Sequence, residues 1–186
     1  FEGVIRTKGE LYDYLRRQGN PTIFIHQDNP YLTQIAWGLN PVTNGEEDNL
    51  YINGHVTGNS PYLTFEWKAG KAGERHEVQT QLIGDYNFPN ALAAITIGHF
   101  FGVEAAKIDK ALHAYEPRNN RSQLKKTADN TLIIDAYNAN PTSMLAAISN
   151  FHNMQAGGKM LILGDMRELG KDSPGEHQKI VNCLQE

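Results

Sequence analysis

The stretch LIIDAYNANPTSM, residues 132–144, ends a run of aliphatics in Asp135 and then places Tyr137, Asn138 and Asn140 ahead of a helix-forming segment. A strand that delivers a carboxylate to the carboxyl edge of a parallel sheet sets it where open α/β folds bind ligands. There it commonly accepts hydrogen bonds from ribose hydroxyls, and neighbouring amides add donors and acceptors. The ordinary alternative is that Asp135 and Asn140 cap the next helix, because Asx residues satisfy free amide groups at a helix start. A second group lies in IGDYNFPNALAAITIGHFFG, where Asn87 and Asn90 stand three apart at a helix start and can share one face. Together they suit a flat hydrogen-bonding partner such as a purine edge. Capping by Asn87 accounts for one amide but not for Asn90, a poor helix former inside the first turn. Arg121, in NNRSQ, is either a solvated surface charge or a fork of donors for phosphate oxygens. Lys8 sits with Val4, Ile5, Leu11 and Tyr12 on the buried-looking side of the first helix. It is either a snorkelling lysine or an amine whose lowered pKa frees it for covalent chemistry.

In LILGDMRELG, Gly164, Asp165 and Glu168 follow a β-like run, with His177 one helix start later. Alone this reads as any strand-to-helix loop. No P-loop, G-x-S-x-G, H-E-x-x-H or C-x-x-C motif occurs, so the chain by itself offers neither a complete phosphate cradle nor a nucleophile–base pair.

The elements that must position these residues alternate between strand and helix. VIRTKGELYDYLRRQG predicts a helix closed at Gly19, and PTIFIHQDNP a short strand that turns at Asp28, Asn29 and Pro30. Between residues 40 and 82, the turn clusters NPVTNGEEDN, TGNSP and KAGKAGE separate LYINGHV, YLTFEWK and HEVQTQLI, which predicts an antiparallel meander. NALAAITIGHFFG predicts a helix burying Ala91, Leu92, Ala94, Ile95 and Phe101, and EAAKIDKALHAY another closed by Pro117. The strand ending at Asp135, the helix TSMLAAISNFHNM, the strand KMLILGD and a helix from about Glu176 complete the chain. The class is α/β: a mixed sheet with helices, then two βα units that read as the start of an incomplete Rossmann-like parallel sheet. PRNNRS, residues 117–122, is the expected hinge, dividing the chain into domains 1–116 and 117–186.

Composition excludes several classes. The 186 residues, 40% hydrophobic with net charge -4, suffice for one sizeable core or two modest ones. A pI near 6.0 gives no electrostatic footprint for nucleic acid. No apolar run approaches the roughly 18–20 residues of a membrane helix. Cys183 is the one cysteine, which excludes an intramolecular disulfide and multi-cysteine zinc sites. With no signal-like start, the cytoplasm is the expected compartment. The chain starts without methionine inside one helix-like stretch and stops inside another, so both ends read as cut and a longer parent is expected.

FEGVIRTKGELYDYL, GDYNFPNALAAITIGHFFGV, YEPRNNRSQ, IIDAYNANPTSMLAAI and LILGDMRELG, in this order, resemble the Mur ligase family across essentially the whole chain. DAYNANP followed by LGDMRELG is similar to the branch that adds D-alanyl-D-alanine to UDP-N-acetylmuramoyl-tripeptide. The D-N-P-R motif of the diaminopimelate-adding branch is missing. The resemblance implies the later part of a central ATPase domain followed by the start of a Rossmann-like C-terminal domain. It also implies an ATP-dependent reaction through an acyl phosphate, with Mg2+ screening phosphate charge. By the same resemblance, Lys8 matches a carbamylated lysine that holds magnesium, and Asn87 and Asn90 match adenine-contacting amides. Arg121 matches an arginine that reaches the nucleotide phosphates and acts in catalysis, as Lys8 would through its carbamate. Asp135 matches an aspartate on the nucleotide, and Tyr137, Asn138 and Asn140 fall in the nucleotide or dipeptide region.

This chain departs from the pattern at HQDNP, where relatives read N-A-D-D-P and His26 replaces the first amide. The family's glycine-rich loop, acidic metal ligand, following histidine and UDP-binding domain are not in the sequence. The expectation is therefore a cytoplasmic ligase, monomeric, without nucleic-acid or membrane partners, of which these residues alone are inactive. The alternatives are a stand-alone nucleotide-binding or interaction module, or another ligase of the Mur or folylpolyglutamate synthetase type.

Overall fold

The computed structural model describes residues 2–19, 21–118 and 120–185. Helix α1 (Glu2–Arg16) leads to β1 (Phe24–His26), α2 (Pro30–Ile35) and β2 (Val42–Gly45). β3 (Ile52–Asn59), β4 (Tyr62–Ala69) and β5 (His76–Ile83) follow, then α3 (Phe88–Phe100) and α4 (Ala105–Ala114). The last third holds β6 (Gln123–Lys126), β7 (Thr131–Ile134), α5 (Pro141–Asn153) and α6 (Ser173–Cys183).

The first five strands form one mixed sheet in sequence order, β1 to β3 parallel and β3 to β5 antiparallel. The meander expected over LYINGHV, YLTFEWK and HEVQTQLI is present. Alternation along β4 sends Leu63, Phe65 and Trp67 to one face, and α3 lays Phe88, Ala91, Leu92 and Ile95 against it at helical spacing. Burying each large apolar side chain is worth roughly 1.5–3 kcal/mol, so this cluster is the main source of stability. Asp109 on α4 fastens the helix to the sheet. Its carboxylate accepts from Trp67 Nε1 at 2.8 Å and pairs with His76 Nδ1 at 2.9 Å, and the His76 ring stacks on Trp67. A smaller cluster of Ile23, Ile25 and Ala36 joins α1, β1 and α2, and a third, of Ile148, Met166 and Ile180, joins α5 to α6.

The α/β class stands, and five local expectations change. Ala94 and Phe101, expected in the buried set of α3, are exposed, because at helical spacing both fall on the side opposite Leu92 and Ile95. Val42–Gly45, read as a turn cluster, is β2: pairing with strands on both sides overrides the weak β preference of Asn44 and Gly45. Lys8 is exposed, because α1 touches only a modest cluster and buries none of its residues. β7 pairs antiparallel with β6, a strand that was not anticipated, instead of opening a parallel sheet. KMLILGD forms no strand. Met160 and Ile162 are 78% and 86% exposed, and among the described residues no strand lies beside this segment to complete its backbone hydrogen bonds.

Candidate functional site

The start of α3 meets the residues around Arg121 and Asp135. Gly84 ends β5 at φ +89, where a Cβ would overlap the Tyr86 ring, so only glycine lets that ring fold back against the chain. The Tyr86 hydroxyl lies 2.7 Å from Ser122 Oγ. Asn87 does not cap α3: its Nδ2 donates to the Ile83 carbonyl at 2.8 Å and, at 3.5 Å, to Ser122 Oγ. Asn90 Nδ2 donates to Asn87 Oδ1 at 3.3 Å, so the two amides do share a face, with Asn90 the exposed member.

Across the junction, Asn120 and Ser122 both take left-handed φ, +52 and +48, on either side of Arg121. The Ser122 amide donates to Asp135 Oδ1 at 3.4 Å and the Ala136 amide to the Asn120 carbonyl at 2.7 Å. The Arg121 guanidinium rests 3.8 Å above the centre of the Tyr137 ring, a cation–π contact on an exposed tyrosine. Burial pushes the Tyr86 hydroxyl above its usual pKa. The Asp135 and Asp85 carboxylates add to the rise, and the bond to Ser122 opposes it.

Five residues singled out from the sequence, Asn87, Asn90, Arg121, Asp135 and Tyr137, therefore converge on one junction. The others do not join it. Asn140 caps α5: its Oδ1 accepts from Ser143 N at 3.0 Å while Ser143 Oγ accepts from Asn140 N, the reciprocal capping box. Asn138 Oδ1 accepts from the adjacent Ala139 amide. For Asn140 the ordinary capping reading holds, whereas Asp135 accepts from the Ser122 amide. No hydrogen bond found among the described residues ties Lys8, on α1, to the junction.

Tyr86 and Ser122 were not anticipated. Their signal is faint: a glycine two residues before an aromatic at a helix start, and a serine after an arginine in a turn-rich run. Elsewhere, His26 Nδ1 lies 2.9 Å from Asn44 Oδ1, and Asp28 accepts from the Glu46 amide. His177 Nε2 lies 2.7 Å from Asp165, and its Nδ1 faces the Ser173 carbonyl at 2.8 Å, which together hold the 165–173 loop on α6.

The junction's chemistry fits a nucleotide better than a metal. Arg121 offers a planar set of donors, Asn90 keeps one N–H and its carbonyl, and Asp135 keeps acceptor capacity. Among the described residues, no group of three or more His, Cys, Asp or Glu is arranged to hold a metal ion. The described residues therefore offer no preformed set of three such side chains for magnesium.

Residues 120–186 match the Mur ligase, glutamate ligase domain family. The chain is 34% identical over 172 residues, 91% of its length, to the UDP-N-acetylmuramoyl-tripeptide--D-alanyl-D-alanine ligase of Bacillus subtilis strain 168. It superposes over its full length on a crystal structure of MurF from Acinetobacter baumannii, at TM-score 0.84 and 26% identity, covering 40% of that chain. It shares its fold with MurF from Thermotoga maritima, solved in complex with ADP, at TM-score 0.75 and 18% identity over 90% of this chain and 38% of that one. Residues 120–186 thus match a Mur ligase, glutamate ligase domain, and the chain as a whole is similar to Mur ligases. Among these, the chain is similar over most of its length to UDP-N-acetylmuramoyl-tripeptide--D-alanyl-D-alanine ligases, and it spans 36% of the length of the Bacillus relative.

Proposed function

We propose that these residues supply the adenosine- and phosphate-facing wall of an ATP-dependent ligase. The ligase joins D-alanyl-D-alanine to UDP-N-acetylmuramoyl-tripeptide in peptidoglycan precursor synthesis. The observation that carries this reading is the convergence of Asn87, Asn90, Arg121, Asp135 and Tyr137 on one junction. The chain is also similar over most of its length to ligases of that specificity. The junction separates domains 1–116 and 117–186, so a ligand there touches both.

ATP, when bound, supplies the phosphoryl group that activates the tripeptide carboxylate for attack by the dipeptide amine. The chain's own residues bind and orient. Asn90 presents its free N–H and carbonyl to the base, held by Asn87, whose amide is committed to Ile83 and Ser122. Asp135 accepts from ribose hydroxyls. Arg121 leaves the Tyr137 ring for phosphate oxygens, exchanging a cation–π contact of about 0.5–1 kcal/mol for stronger charge-assisted hydrogen bonds. Tyr137, thus released, and Asn138 face the incoming dipeptide. Lys8, exposed on α1, is assigned to holding magnesium by resemblance alone. We place the protein in the cytoplasm as a monomer, without nucleic-acid or membrane partners; no helix among the described residues is long and apolar enough to cross a membrane.

The test is ATP binding and ligation in the full-length protein. Asn90→Ala is expected to weaken ATP binding roughly fivefold, the worth of about one hydrogen bond. Arg121→Ala is expected to weaken it further. The 186 residues alone are expected to show no ligation. Unchanged ATP affinity in both variants refutes the reading.

A further inference from the structure

Ser122 makes more polar contacts than any site reading requires of it. It is 4% exposed, its backbone is held at φ +48, its amide donates to Asp135, and its hydroxyl meets both Tyr86 and Asn87. A serine in left-handed backbone costs on the order of 1 kcal/mol and persists where surrounding contacts enforce it. Here they fix the turn 120–122, whose middle residue is Arg121.

The hydrogen-bond directions are restricted. Asn87 Nδ2 can only donate, so at that contact Ser122 Oγ accepts. The Tyr86 hydroxyl lies 2.7 Å from the same oxygen, and the Ser122 amide donates to Asp135 Oδ1 at 3.4 Å. Ser122 thus joins three groups at once, Asn87 and Tyr86 through its hydroxyl and Asp135 through its amide. Gly84 makes the arrangement possible by leaving room for the Tyr86 ring.

We propose that Tyr86 and Ser122 are positioning residues: the Tyr86 hydroxyl holds that of Ser122, and Ser122, bonded to Asn87 through its hydroxyl and to Asp135 through its amide, fixes Arg121 in register with the base-facing amides. This rests on the nucleotide-site reading above. Ser122 links groups from both sides of the junction, so binding at the amide end and at the arginine end become one event. Neither hydroxyl needs to touch the nucleotide.

The experiment measures ATP affinity by calorimetry in the full-length protein, together with KM for ATP, KM for D-alanyl-D-alanine and kcat. Tyr86→Phe and Ser122→Gly are each expected to raise the ATP dissociation constant and KM for ATP roughly fivefold while leaving KM for the dipeptide unchanged. The double variant is expected to lose no more than the singles, because both act through the Ser122 hydroxyl. Ser122→Gly keeps the left-handed turn and removes only the hydroxyl. If it binds ATP as the parent does, the turn alone matters and the positioning role of the hydroxyls is overturned. Equal loss in both KM values, matching a loss in thermal stability, also overturns it, since general loosening moves every parameter. Arg121→Ala separates the two claims. If that variant weakens ATP binding while Tyr86→Phe and Ser122→Gly do not, the positioning role fails and the nucleotide reading stands. If Arg121→Ala and Asn90→Ala both leave ATP binding unchanged, the nucleotide reading itself fails.

Discussion

Individual side chains in this protein are rarely free agents. Asn87 reads in the sequence as a helix cap or a ligand for a base. In the structure its amide is spent inside the protein, and the free hydrogen-bonding edge belongs to Asn90. His177 illustrates the same point electrostatically. The Ser173 carbonyl, and behind it the Asp165 carboxylate, raise its pKa by favouring the imidazolium. A raised folded-state pKa means that the folded state holds the proton more tightly. Its contribution to stability is therefore fully present below the unfolded value of about 6.5 and fades as pH rises through the folded value. Thermal unfolding followed from pH 5 to 9 should show this decline, and His177→Gln should flatten it. NMR titration of the ring should give a midpoint above that of an unfolded histidine.

Elements are fixed by what they pack against more than by their own preferences. α4 is amphipathic, with Ile108 buried, and Asp109 beside it turns a packing contact into a specific one by taking donors from Trp67 and His76. Asp109→Ala leaves the Trp67 N–H without its acceptor and should cost about 1–3 kcal/mol in urea unfolding. The emission of buried Trp67 should change, while Trp37, 82% exposed, provides the invariant background. An unchanged unfolding midpoint would show that α4 is held by apolar burial alone. The β2 and 159–165 segments show both directions of tertiary override. A polar, turn-like run becomes a strand between two neighbours, and an aliphatic run with strand-like composition stays irregular without one.

Across the whole molecule, stability is unevenly distributed. The sheet with α3 and α4 encloses a broad cluster that includes Leu63, Phe65, Trp67, Leu92 and Ile95, whereas α5 and α6 share only Ile148, Met166 and Ile180. Amide hydrogen exchange should accordingly be slowest in β3–β5 and α3, and faster in α5, α6 and β6–β7. Uniform protection would contradict this division. The two regions are joined by the Tyr86–Ser122 and Asn59–Asn150 hydrogen bonds, so Tyr86→Phe should loosen the second more than the first.

Much of this was legible in the residue order. The three-strand meander, the helices, the α/β class and the family resemblance rest on local periodicity and motif order, which one chain carries in itself. The sequence also marked Asn87, Asn90, Arg121, Asp135 and Tyr137, because amides, a guanidinium and a carboxylate are chemically conspicuous. It did not decide which of two roles each plays. Asn140 turned out to be a cap and Asp135 not, and that outcome depends on which donors lie within about 3 Å, a property of residues distant along the chain. Tyr86 and Ser122 left only a faint signal for the same reason. Tyrosine and serine are common, and only the fold that brings β5 to the 120–122 turn makes them neighbours. Lys8 and the 159–165 run failed in the converse way: each carries a local pattern of burial, and burial is conferred only by a partner surface.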